Sequence, residues 1–338
     1  MPMAEAILSL EMDSKSHKAL QESIQELMDN LDETIEESEL DVILATLEYG
    51  WDELPDPESQ WEEYDEEDWM LFDELQKARL NVLKRQGRED EFLQLAQKAD
   101  PHRYVLELLQ LGQVDEAIEA SQKLRYDSEM LSVAQKLHEA GKLDEAIALA
   151  ERGLDMKGNA VYELATWLAP LEESQGRKEM ALLAYRSAFD AHPAIELYRH
   201  IKRLSGSNWE NLRPALLKKA REMHYSDILV DIHLEENEWD EAIKIAENDF
   251  GSFHLLEKVA DAVIPHRPDS VIRVAIKQAE SLIAQTQSKL YPVAARWLEH
   301  AKKAYHHKGQ AAEWKTYIDS LRVVYARRPA LQKAIEKL

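Results

Sequence analysis

The stretch GKLDEAIALA, residues 141–150, returns in looser form as GQVDEAIEA (112–120) and NEWDEAIKIA (237–246). Each copy sets a Gly or Asn before a short polar stretch, then Asp-Glu-Ala-Ile, then further apolar residues. Gly112, Gly141 and Asn237 are residue types that tolerate the left-handed conformation just past a helix, so each predicts a helix end. Asp115, Asp144 and Asp240 predict the start of the next helix, where an acid meets free N–H groups and the positive end of the helix dipole. Ala117, Ala146 and Ala242 are small enough for two helices to approach closely. Ile118, Ile147 and Ile243 are expected to face a core, with Ser121, Ala150 and Ala246 one turn further on.

The pattern recurs more weakly in LKRQGREDEFLQLAQKA (83–99) and LEESQGRKEMALLAYRSAFDAHP (171–193). The turn residues then sit at 87, 112, 141 and 176, in steps of 25, 29 and 35. Two helices per step of this length is the signature of a helical solenoid. The unit 161–193 resembles a tetratricopeptide repeat. Leu168 and Ala169 stand at its Leu-Gly pair, and Gly176, Ala181, Tyr185, Ala188 and Pro193 at its turn, small, aromatic and closing positions. Ala165 replaces an aromatic, and Pro170 inside the first helix predicts a kink.

Composition agrees with long helices. Of 338 residues, 10 are Gly and 11 Pro, and 45% are hydrophobic, enough for an extended core. No cysteine is present, which excludes disulfides, thiol catalysis and thiolate metal sites. The start, MPMAEAILSLEMDSK, has no basic region before an apolar stretch, and no apolar run is long enough to span a bilayer. These features predict a cytoplasmic protein with no membrane contact. The net charge of −24 is uneven. Residues 1–78 hold 25 acids and 3 lysines, whereas the rest holds 40 acids and 38 bases. An acidic chain is poorly suited to general nucleic-acid binding, although a near-neutral body can carry a local basic patch.

Six stretches in order resemble the C-terminal helical region of bacterial and archaeal SWIM zinc-finger proteins. They are VLKRQGREDEFLQLAQ (82–97), LHEAGKLDEAIALAERGLDM (137–156), SAFDAHPAIELYRHIKRLSGSNWENLRPALL (187–217), LVDIHLEENEWDEAIKIAE (229–247), YPVAARWLEHAKKAY (291–305) and GQAAEWKTYIDSLRVVYARRPALQKAIEKL (309–338). The resemblance implies a partner-binding role. The family's finger requires Cys-x-Cys and Cys-x-His, so no metal ligand carries over to a chain without cysteine.

Two segments are candidate binding sites. WDELPDPESQWEEYDEEDWMLFDEL (51–75) places Trp51, Trp61, Tyr64 and Trp69 in a dense acidic run. It reads as a solvated linker whose aromatics tuck onto the first repeat helices, or as a segment docking on a basic partner. Its acids lack the spacing and loop glycine of an EF-hand. YRHIKRLSGSNWENLRPALLKKAR (198–221) holds Arg199, Lys202, Arg203, Arg213, Lys218, Lys219 and Arg221 against Glu210. It reads as a solvated helix face or as a site for an anionic partner. The acidic segment is one candidate occupant of that patch, in cis or in trans, with complementary charge orienting the contact. His224, Asp227 and Asp231 have the spacing of one helix face and could serve as N/O metal ligands, or simply as surface polar residues. Trp167, Trp239, Trp297 and Trp314 read as core. No HExxH, GxSxG, P-loop or GxGxxG motif occurs, and no metal or cofactor is expected.

The expectation is therefore all-α. An acidic, partly helical segment (1–64), with helical period at 20–35, precedes a TPR-like α-α superhelix over 65–338. The expected function is a non-enzymatic scaffold or adaptor that binds protein on its concave surface. A nucleic-acid-associated regulator acting with a finger-bearing partner is the alternative.

Overall fold

A computed structural model describes residues 2–9, 42, 43, 46, 49, 51, 66–248 and 253–338. All regular structure among these residues is helical. The chain divides into two compact units, Met1–Ala160 and Val161–Leu338. The expected boundary at residue 64 and the helical period at 20–35 lie outside the described residues.

In the first unit α1 (Pro2–Ser9) packs on α2 (Glu66–Gln86). Ala4 and Leu8 of α1 join Val42, Leu75, Ala78 and Val82 in one apolar cluster. Glu5 of α1 accepts a hydrogen bond from Asn81 and pairs with Arg85. Three further pairs of elements follow: α3 (Glu89–Ala99) folds back on α2, α4 (Pro101–Gln110) pairs with α5 (Val114–Ala120), and α6 (Asp127–Glu139) pairs with α7 (Leu143–Asp155). The buried Asp127 carboxylate accepts from the Ala160 N–H at 2.7 Å and so ties down the unit's last loop.

The second unit contains α8 (Val161–Ser174), α9 (Lys178–Ala191), α10 (Ile195–Ser205), α11 (Trp209–Glu222), α12 (Ser226–Glu235), α13 (Trp239–Asn248) and α14 (Phe253–Val263). It closes with α15 (Pro268–Ala284), α16 (Tyr291–His307), α17 (Ala311–Val324) and α18 (Pro329–Ala334). Neighbours in sequence pack together. Helices two apart also touch, as α10 on α12, α12 on α14 and α14 on α16. Trp297, Leu298, Ala301 and Trp314 lie in one continuous core with residues from α12 to the chain end.

One turn builds these hairpins. Gly87, Gly112, Gly141, Gly176, His224, Asn237 and Gly309 all have φ between 61° and 79°. In each case the next residue's N–H reaches back across the turn, to the carbonyl of Leu83, Leu108, Leu137, Glu172, Ala220, His233 or Tyr305, at 2.8–3.0 Å. This is the Schellman pattern, which satisfies carbonyls the helix end would leave open. The following helix starts two residues after the turn residue every time. The fifth residue after it (Phe92, Ala117, Ala146, Ala181, Leu229, Ala242 or Trp314) is buried. Asp115, Asp144 and Asp240 fall in the first helical turn as expected.

Three expectations need correction. Ile147 and Ile243 are core, but Ile118 is half-buried, because α5 has only seven residues where α7 has thirteen. Trp167 and Trp239, expected in the core, are half-buried, while Pro170 lies inside α8 as expected. His224 is a left-handed turn residue ahead of α12, so it does not share a helix face with Asp227 and Asp231.

Candidate functional site

The basic segment folds as α10, a short 3-10 turn (Gly206–Asn208) and α11. The apolar residues of α10 alternate with its bases at helical spacing: Leu197, Tyr198 and Ile201 are buried, which leaves Arg199, Lys202 and Arg203 outward. Each cation then meets a glutamate on a neighbouring helix end. Arg199 Nε donates to Glu235 Oε2 at 2.8 Å, and Lys202 Nζ to Glu236 Oε1 at 2.6 Å. Arg203 forks onto Glu173, with one arm at 2.8 Å. Arg213 pairs with Glu238. Lys218 lies 3.6 Å from Glu222 on its own helix. Among the described residues no carboxylate lies within ion-pair distance of Lys219 or Arg221.

The structure thus brings Arg199, Lys202, Arg203 and Arg213 together, and it brings four carboxylates to them. The result is a nearly neutral, cross-linked seam where the sequence window showed an open basic patch. Guanidinium–carboxylate contact raises the pKa of Arg199 and Arg203 and lowers that of Glu173. Pairs this exposed orient the helices more than they stabilise them.

Beneath the seam lies a more buried cluster. Tyr198 is fully buried, and its hydroxyl donates to Glu236 at 3.2 Å. Burial holds that hydroxyl far above its ordinary range. Trp209 packs edge-on against the Tyr198 ring, with the Lys202 ammonium over its face. The two aromatics are therefore engaged within the fold and form no open stacking platform. Glu238 accepts from Arg213 and also lies 2.6 Å from His233 Nδ1. Burial pushes the Glu238 carboxyl up, but hydrogen bonds and charge from His233 and Arg213 outweigh it, and the net shift is downward. His233 and Glu238 span the Asn237 turn as Glu172 and Arg177 span the Gly176 turn, 2.6 Å apart. These turn-spanning positions more often carry an apolar contact.

Trp51 is the described member of the acidic-aromatic set with a placed side chain. Its Nε1 donates to the Leu8 carbonyl at 3.1 Å, closing the C-terminal end of α1, and the Arg88 guanidinium lies 5.4 Å from its ring centre. Trp61, Tyr64 and the Trp69 side chain lie outside the described residues. The sequence reading does not point to the glutamates or to His233. Glu173, Glu235, Glu236 and Glu238 sit 25 to 36 residues from their partners, and only the hairpin stacking brings them close.

No group of three or more ligand-type side chains able to hold a metal occurs among the described residues. No helix among them is long and apolar enough to cross a membrane. No family model matches the chain, and no curated protein matches it in sequence.

Proposed function

We propose that this chain is a non-enzymatic scaffold or adaptor of the TPR-like helical-repeat type, cytoplasmic, that binds a protein partner along the concave face of its stacked hairpins. The observation that supports this reading is one turn repeated seven times among the described residues, with the same bonds and the same offset to the next helix. Such repetition makes a long surface from small units, and extended surfaces of this kind serve recognition. The likeness to the helical region of SWIM zinc-finger proteins points the same way, and the finger chemistry has no counterpart here.

Acting on nucleic acid beside a finger-bearing partner is the second reading, and it rests on the resemblance to the finger family and on the basic patch. The glutamates around that patch weigh against it, since cations already paired release few counterions on meeting phosphate. The test is affinity capture of the full chain from native extract, beside a 65–338 version, with and without nuclease. A protein recovered in fixed ratio after nuclease supports the scaffold reading. Recovery of nucleic acid alone, with affinity falling steeply in salt, would favour the second.

A further inference from the structure

The first unit holds a pocket of about 370 Å³ between α5, α6 and α7. Its cause is the short α5. That helix stops at Ala120 and passes through a 3-10 turn (Ser121–Lys123) into extended chain at Leu124, while α7 runs on to Asp155. The second half of α7 thus faces a space that a longer α5 would fill. Ile118, Leu137 and Leu149 make the apolar wall, and the exposed Ala148 stands at its side.

Arg152 lines the same pocket. Its two terminal nitrogens donate to the Ser121 carbonyl and to Gln122 Oε1, each at 2.7 Å. Both acceptors are neutral. Its Nε is buried with no hydrogen-bond partner, and no carboxylate lies within ion-pair distance among the described residues. Burial alone acts on its pKa, and downward. A guanidinium stays charged in any protein, so this half-buried cation lacks a counter-ion and one donor lacks an acceptor. Glu145 lines the pocket seven residues earlier on α7, roughly 10 Å along the axis. A second negative group on a ligand would meet it there.

We propose that this pocket binds a small monocarboxylate with an aliphatic body, its carboxylate on Arg152 and its chain along Ile118, Leu137 and Leu149. Each terminal nitrogen keeps one spare N–H for the two oxygens, and the wall supplies apolar burial. The inference stands apart from the scaffold reading, because it needs no protein partner.

Calorimetric titration of the full chain with octanoate tests it, with suberate and octylamine as comparators. Octanoate should bind at one per chain. Suberate, with a second carboxylate near Glu145, and octylamine should each bind about tenfold more weakly or worse, a difference of ~1.4 kcal/mol. Arg152→Met should cost octanoate at least about tenfold, and Arg152→Lys less. Ala148→Phe fills the space from an exposed position and should abolish binding even if Arg152→Met folds poorly. Absence of octanoate binding, equal binding of octylamine, or octanoate affinity unchanged in Arg152→Met or in Ala148→Phe would each overturn the proposal.

Discussion

The turn residues separate conformational need from sequence habit. Gly141 has φ of 79°, a conformation that costs other residues about 1–2 kcal/mol. His224 and Thr286 adopt the same region, at 61° and 58°, and Thr is β-branched. His224→Gly and Thr286→Gly should therefore each raise stability by ~0.5–1 kcal/mol, and Gly141→Ala should lower it by about 1 kcal/mol. Thermal or urea unfolding of the three variants reads the signs. The Glu238 carboxyl makes a second, pH-dependent case. Its pKa is lowered in the folded state from an ordinary value of 4.5. The unfolded chain therefore binds its proton more tightly, and the stability Glu238 contributes is present above pH 4.5 and lost as pH falls through the lower folded value. Glu238→Gln should flatten that acid limb, seen as a smaller drop in unfolding midpoint between about pH 5 and about pH 2. An unchanged drop would show that the His233–Glu238–Arg213 cluster carries none of the acid sensitivity.

Helices and their pairing were largely readable from the chain. Gly87, Gly112, Gly141, Gly176 and Asn237 announce their turns because those residue types are enriched at left-handed positions. His224 and Thr286 announce nothing, since there the stacking imposes the conformation on residues that resist it. The short α5 was equally hidden: SQKL after Ala120 contains neither Gly nor Pro to mark a break. The basic segment is only half legible for a related reason. A window over 198–221 shows the cations, while the carboxylates that meet them arrive from α8, the end of α12 and the turn after it. Trp297 was read correctly as core. It is fully buried in the second unit's continuous cluster, and Trp297→Ala should cost about 3–5 kcal/mol. An unfolding midpoint shifted by less than a Val-to-Ala change would contradict that placement.

Across the molecule, charge and structure divide the labour differently. The acidity is concentrated in residues 1–78, and α1 with Trp51 anchors described parts of that region on α2. The repeat helices are close to neutral and use their charges on one another, as Lys142 with Asp115, Arg267 with Asp240 and Arg273 with Glu247. A body whose cations are engaged internally offers shape, small apolar faces and backbone regularity to a partner in place of a strong field. The scaffold reading therefore turns on a physical complex. The measurement to make is the mass of the chain purified gently from its native cells at natural abundance and treated with nuclease. The account predicts a discrete species heavier than the 39.0 kDa chain, containing a second protein in fixed proportion. A species at 39.0 kDa alone, or one whose excess mass disappears with nuclease, would contradict it.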